Sequence, residues 1–278
     1  MKLIRFNDVC RYYHRVESYL LRNEGINCLL LASCLSLYNS DRQNSFYLAL
    51  VEEKQTILAA AIHIPGRKLF LSKSTNIEAV RLIAEDLAIN SRSIAGITAS
   101  QLEAKTFVAA WQDLTEQSVE LEVVMPIQQL KKTNAVDRAV GKLRLAMSKE
   151  TELLTDWIQA FVKEALGVDE SEADSREWVV RHLKQDGLYV WKNNNRVVSM
   201  AACGGRTPHG IRVKSVYTPP EYRGNGYATS CVATMSQLLL KQHKYCFLFT
   251  DLANLASNKM YRKIGYMPMG QIENYKFS

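Results

Sequence analysis

The chain has 278 residues, of which 47% are hydrophobic and 23% charged, the usage of a globular protein long enough for two domains, which excludes extended disorder. Its longest apolar run, Cys28 to Leu37, falls short of the roughly 20 residues a membrane helix needs, so no membrane span is expected. A formal charge of +7 and a pI near 9.0 favour an anionic partner, which composition alone does not choose among nucleic acid, an anionic surface and a phosphate-rich cofactor.

The opening "MKLIRFNDVCRYYHRVE" has no uninterrupted apolar core or cleavage site, so a cytoplasmic address is expected. Helical periods follow in "FNDVCRYYHRVESYLLRNE" and "NCLLLASCLSL", then strands in "SFYLALVEE", "TILAAAIHIP" and "KLFLS", with Gly66 in the turn of "HIPGRKLFLS". "IEAVRLIAEDLAIN" is helical, "SIAGITAS" strand-like, "EAKTFVAAWQDL" helical and "VELEVVMPI" a strand. The polar, weakly periodic segment 128–142 places a domain boundary, giving an N-terminal domain 1–135 and a C-terminal domain 136–278.

Beyond it, "LRLAM" reads as a strand, "TELLTDWIQAFVKEAL" and "ADSREWVVRHLKQ" as helices, and "GLYVWK" and "RVVSMAACGG" as strands joined by a turn at Asn193, Asn194 and Asn195. "IRVKSVYT" is the next strand and "YATSCVATMSQLLLKQH" a long helix. "YCFLFT", "NLASNKMYRKI", "YMPM" and "IENYKF" close the chain as strand, helix and two strands. Both halves share one order: two helices, antiparallel strands, helix, strand, helix, strand. An internal structural repeat is therefore expected.

The junction "SVYTPPEYRGNGYATSCVATM" carries the chemistry. Strict alternation would turn Ile211, Val213, Ser215 and Tyr217 one way and Arg212, Lys214, Val216 and Thr218 the other. Pro219 and Pro220 end the ladder. In the loop that follows, Arg223, Gly224, Asn225, Gly226, Tyr227 and Ala228 lead into a helix. Such a loop lets backbone N–H groups approach a phosphate at the positive end of a helix dipole, and an arginine adds a charge-assisted contact. It is neither a P-loop nor a dinucleotide fingerprint.

This stretch resembles motif A of the GNAT superfamily of acyl-CoA-dependent N-acyltransferases. The resemblance covers roughly residues 140–278 and extends to the ending "DLANLASNKMYRKIGYMPM", where Asn254, Ser257, Tyr261, Gly265 and Tyr266 fall on the family's last motif. It implies an α/β (α+β) fold of two GNAT-like lobes, each a mixed, mostly antiparallel sheet flanked by helices. It also implies acetyl-CoA as cosubstrate. The backbone of Val216, Tyr217 and Thr218 would hold the pantetheine arm, and the loop 223–228 the pyrophosphate, with Asn254 and Ser257 completing the cofactor site. Tyr261 would be the general acid for the leaving thiolate. Asn254 equally suits a helix N-cap and Gly265 a C-terminal cap.

No general base stands out: Glu221 belongs to a turn and His209 precedes the strand. His14, His63, His182 and His243 are isolated, so no metal is expected. The six cysteines lack C-x-x-C spacing and read as reduced core thiols. Asp169, Glu170, Glu172, Asp174 and Glu177 form an acidic segment that reads as a solvated helix-capping run, while the resemblance implies that this region borders the acceptor pocket and would suit a cationic amine. The N-terminal half has "KSTNIEAV" where motif A would lie and reads as a degenerate lobe for acceptor binding, lobe packing or dimerisation. The expected function is acetyl-CoA-dependent N-acetyl transfer to an amine. The rival readings are a non-catalytic acyl-CoA-binding or regulatory protein and a nucleic-acid binder. The second is disfavoured by the lack of a Lys/Arg stripe or stacking platform.

Overall fold

Twelve strands form one continuous sheet in the computed structural model, which describes residues 1–38, 46–90 and 94–278. The first half runs β1 (Lys2–Phe6), α1 (Val9–Leu21), α2 (Cys28–Tyr38), β2 (Tyr47–Glu53), β3 (Thr56–His63), β4 (Leu69–Leu71), α3 (Glu78–Ile89), β5 (Gly96–Ser100), α4 (Gln101–Leu114) and β6 (Val119–Leu130). The second repeats it as β7 (Lys142–Leu145), α5 (Thr151–Leu166), α6 (Glu172–Lys184), β8 (Leu188–Asn193), β9 (Arg196–Gly204), β10 (Gly210–Tyr217), α7 (Tyr227–Leu239), β11 (Tyr245–Phe249), α8 (Leu255–Ile264) and β12 (Met267–Phe277).

The expected repeat is therefore present, and the mixed, mostly antiparallel architecture with it. Three elements differ from expectation. The helical reading from Phe6 overran a strand, because Asp8 caps α1 by accepting the Arg11 N–H at 2.6 Å and leaves Lys2–Phe6 to pair with β2. "YMPM" and "IENYKF" are one strand, continuous across a register shift between Pro268 and Gly270. Gln128, Gln129 and Leu130, read as linker, extend β6. Ser45 and Ser93, the first residues of two expected strands, lie outside the described residues. Cys10 is exposed, unlike the other five cysteines, because it lies on the solvent side of α1.

The sheet order β1-β2-β3-β4-β5-β12-β6-β11-β10-β9-β8-β7 shows how the halves join. Each half gives its last strand to the other: β6 pairs with β11, and β12 with β5, while β6 and β12 pair with one another along most of their length. Among the described residues each half has a single parallel pair, β4 with β5 and β10 with β11, bridged by the crossover helices α3 and α7, as parallel neighbours require. Among the described residues no helix is long and apolar enough to cross a membrane.

Strand exchange sends side chains into the opposite core. Phe277, the penultimate residue, stacks on Trp111 at 5.8 Å and Phe107 at 6.4 Å, both on α4. Aromatic burial of this kind dominates core energetics. Phe277→Ala is expected to cost about 3 kcal/mol and to lower the melting of the whole molecule in one cooperative transition. Calorimetry would check this; a melt that splits, with only the N-terminal half destabilised, would contradict it.

Candidate active site

The strand β10 pairs with β11 only at its start, through Gly210–Arg212 against Tyr245–Phe247. Beyond Arg212 the two strands part, and the β11-facing edge of β10 is left without a ladder. On its other edge β10 pairs with β9, but the register shifts between Lys214 and Tyr217. Ser215, at φ 48°, and Val216 lie there as a bulge, which reorients the side chains that follow.

The bulge overturns the strict alternation expected for this strand. Val216 joins Ile211 and Val213 in the core beneath α7 and α8, whereas Tyr217 turns to the opposite face and packs with Trp157 of α5, ring centroids 6.1 Å apart. The Tyr217 carbonyl accepts the Ser199 hydroxyl at 3.2 Å, and Thr218 Oγ1 donates to Ser199 Oγ at 2.9 Å. Backbone and side chains on the exit of β10 are thus fixed from the β9 side, leaving the β11 side open.

At the start of α7, Gly224 and Gly226 take φ values of 80° and 74°, a region open to glycine at little cost. Among the described residues, the backbone N–H groups of Gly224, Asn225, Gly226, Tyr227, Ala228 and Thr229 have no partner. Six consecutive free donors at a helix start are an arrangement that suits an anion. Arg223 holds the loop: Nε donates to the Thr218 carbonyl at 2.9 Å, Nη2 pairs with Glu164 at 2.7 Å, and the guanidinium lies 5.8 Å from the Tyr217 ring. Tyr227 accepts from Asn193 Nδ2 at 2.7 Å.

The corresponding loop of the first half is closed by the protein itself. The Lys73 N–H donates to Asn27 Oδ1, that of Ser74 to the buried Glu103, and that of Thr75 to the Leu58 carbonyl, all at 2.8–2.9 Å. The Glu78 and Ala79 N–H groups are taken by Asn76. A carboxylate and two amides occupy the donors that would otherwise meet a ligand.

Tyr261, on α8, is 8% exposed and borders the same core as Val213 and Val216. Its hydroxyl makes no hydrogen bond among the described residues, and its ring meets Tyr266 edge-on at 5.8 Å. Burial pushes its pKa well above the usual tyrosine value, so it is protonated at neutral pH. Asn254 is the N-cap of α8, accepting the Ser257 N–H at 3.0 Å, and Gly265 closes the helix in the left-handed region.

Of the weaker base candidates, Glu221 lies close enough to Tyr217 to act on its hydroxyl electrostatically, whereas His209 is held elsewhere. Glu221 is exposed in a turn. His209 lies seven residues upstream of Val216, roughly 20 Å along a strand, and its Nδ1 and backbone N–H bind Glu24 of the first half at 2.9 and 2.8 Å. The acidic segment is engaged in helix ends: Lys163 holds Asp169 at 2.9 Å, Ser175 donates to Glu170 at 2.9 Å, and Ser171 caps α6 by accepting the Asp174 N–H at 3.1 Å.

Sequence reasoning gave Arg212 and Lys214 no part beyond their face of the strand. They share the α5/α6 face of β10, and burial with neighbouring Arg212 and Arg181 lowers the Lys214 pKa from 10.5 to about 8. The folded chain therefore binds fewer protons than the unfolded one between pH 8 and 10.5, so the destabilisation is full below pH 8 and fades as pH rises through that window. Lys214→Met is expected to stabilise the protein by about 1 kcal/mol at pH 7, discounted for partial exposure, with no gain above pH 10.5. Denaturant melts at both pH values would check this.

Residues 152–266 match the family model described as "Acetyltransferase (GNAT) family". No curated protein matches the chain. Among solved structures, a GCN5-related N-acetyltransferase from Sphaerobacter thermophilus superimposes with a TM-score of 0.65 at 12% identity, over 99% of this chain and 95% of that one. A GNAT-family acetyltransferase from Colwellia psychrerythraea gives 0.56 at 12% identity over 100% of both chains. A tandem GNAT protein from the clavulanic acid biosynthesis pathway gives 0.59 at 10% identity, over 100% and 98%. The chain thus has a tandem GNAT fold, and the stretch that matches the GNAT family model lies in its second half.

Proposed function

We propose that the C-terminal half binds acetyl-CoA and transfers its acetyl group directly to an amine. The observation that carries this reading is the run of six free N–H groups at the start of α7 beside the parted strands β10 and β11, where the first half has satisfied donors instead. Gly224 to Ala228 hold the pyrophosphate, and Arg223 keeps their loop in place. The open edge at Val216, Tyr217 and Thr218 takes the pantetheine arm by strand-like hydrogen bonds, with Asn254 and Ser257 at the far wall. The 1–135 half, its loop filled by Glu103, contributes packing.

A neutral amine attacks the thioester carbonyl, forming the C–N bond as the C–S bond breaks. A backbone N–H at the Ser215–Val216 bulge stabilises the charge developing on the oxygen. Tyr261 gives its proton to the departing thiolate and is restored by the proton the nitrogen loses, so amine and acetyl-CoA become amide and free thiol. Calorimetric titration with acetyl-CoA, followed by a thiol-release screen of amines, tests the reading. Absence of acetyl-CoA binding would end it, and binding without thiol release from any amine would leave the non-catalytic alternative.

A further inference from the structure

Arg212 and Lys214 project from β10 on the face opposite Ile211 and Val213, immediately before the bulge, and both are half-buried. Neither has a hydrogen bond or carboxylate partner among the described residues. Arg212 lies 5.5 Å over the Phe249 ring, and Lys214 lies 5.6 Å over Trp178 of α6. Trp178 is itself stacked on His182 at 3.7 Å.

The walls belong to both halves. A Cβ at Gly205 would stand 3.5 Å from Arg212 Nη2 and 3.8 Å from Ala32 of α2, and one at Gly204 would stand 3.5 Å from Lys214 Nζ. Bare glycine backbone thus borders both cationic heads. Arg181 adds a third positive charge, and its partner Glu177 is bound to it at 3.2 Å on the surface of α6. Partly buried cations without counter-charges are costly, and adjacent ones more so. An anion bound at their heads would offset that cost.

We propose that Arg212 and Lys214 form an acceptor subsite between α2 and α6 that binds a carboxylate or phosphate, so the acceptor is an amine that also carries an anionic group. This rests on the acyltransfer reading above. Lys214 stands roughly 6 Å along the strand from Val216, so an anion seated on it places an amine a few bonds away at the bulge. The same positive surroundings favour the neutral form of that amine, which supplies a nucleophile that needs no prior loss of a proton.

The test uses the full chain in two arms. In the first, a short pulse of isotopically labelled acetic anhydride modifies exposed amines with and without inorganic phosphate, and modification of Lys214 is read by peptide mass spectrometry. Saturable protection of about tenfold is expected in the wild type, and little in Arg212→Gln. Absence of protection in the wild type, or equal protection in the variant, overturns the subsite. In the second arm, thiol release is compared for amino acids against their carboxamides and for O-phosphoethanolamine against ethanolamine. The anionic member of at least one pair should have kcat/KM about tenfold higher or more, the two pairs separating carboxylate from phosphate. Arg212→Gln should raise its KM while leaving acetyl-CoA affinity unchanged. Turnover restricted to neutral amines leaves the acyltransfer reading standing and overturns this proposal. Phosphate protection without turnover of any amine removes the acyltransfer reading and the acceptor assignment with it.

Discussion

Gly226→Asp is expected to weaken acetyl-CoA binding by roughly a thousandfold. Gly226 sits at φ 74° as the N-cap of α7, amid the free N–H groups of residues 224–229. A carboxylate there lies within about 4 Å of a bound pyrophosphate charge, where each like-charge pair is worth about 4 kcal/mol near a protein surface, close to a thousandfold in affinity. Gly226→Ala separates charge from backbone. A Cβ at this position meets only Ala139, at 3.9 Å, so the alanine variant carries only the cost of the left-handed conformation, about 1 kcal/mol. Calorimetric titration of both variants decides the matter: equal, mild losses would mean that the loop does not face a phosphate.

How much of this was legible beforehand follows from which features are local. The glycines, the arginine and the helix behind them are adjacent in sequence, so the loop could be read from residue types. The turn at Asn194, which adopts φ 50° in the loop between β8 and β9, was legible for the same reason. The bulge at Ser215 was not. Nothing in "VKSVYT" marks an extra residue; the shift arises because β9 holds Ala202 opposite Lys214 and Met200 opposite Tyr217. That long-range pairing reversed the faces assigned to Val216 and Tyr217.

Strand exchange was hidden for a related reason. The sequence shows the order of elements twice, yet β6 and β12 are alike in following a helix, and only pairing reveals that each completes the other half. Arg212 and Lys214 looked like ordinary outward-facing strand cations. Their environment comes from α2, which precedes them by some 180 residues, and from α6. The closure of the first half's loop by Glu103 was legible only as an absence of glycine. The carboxylate that fills it lies on α4, after a strand and a helix.

Tyr261→Phe is expected to lower kcat by about a thousandfold, within the range that positioned acid–base groups contribute, while leaving acetyl-CoA affinity within about twofold. The substitution removes one oxygen that has no hydrogen-bond partner among the described residues and keeps the ring contact with Tyr266. Folding stability should therefore stay within about 0.5 kcal/mol of wild type, which separates a chemical effect from a structural one. The raised Tyr261 pKa fixes the sign of the pH dependence. The acid form persists through the neutral range, so activity should rise with pH as the amine deprotonates, with no fall from loss of the tyrosine proton near pH 10. In Tyr261→Phe the rising limb should survive at the reduced rate, because it belongs to the acceptor. If kcat were unchanged in this variant, the thiolate would collect its proton from water and Tyr261 would be a packing residue of α8. If kcat and melting temperature fell together, the ring position rather than the hydroxyl would be what the cleft requires.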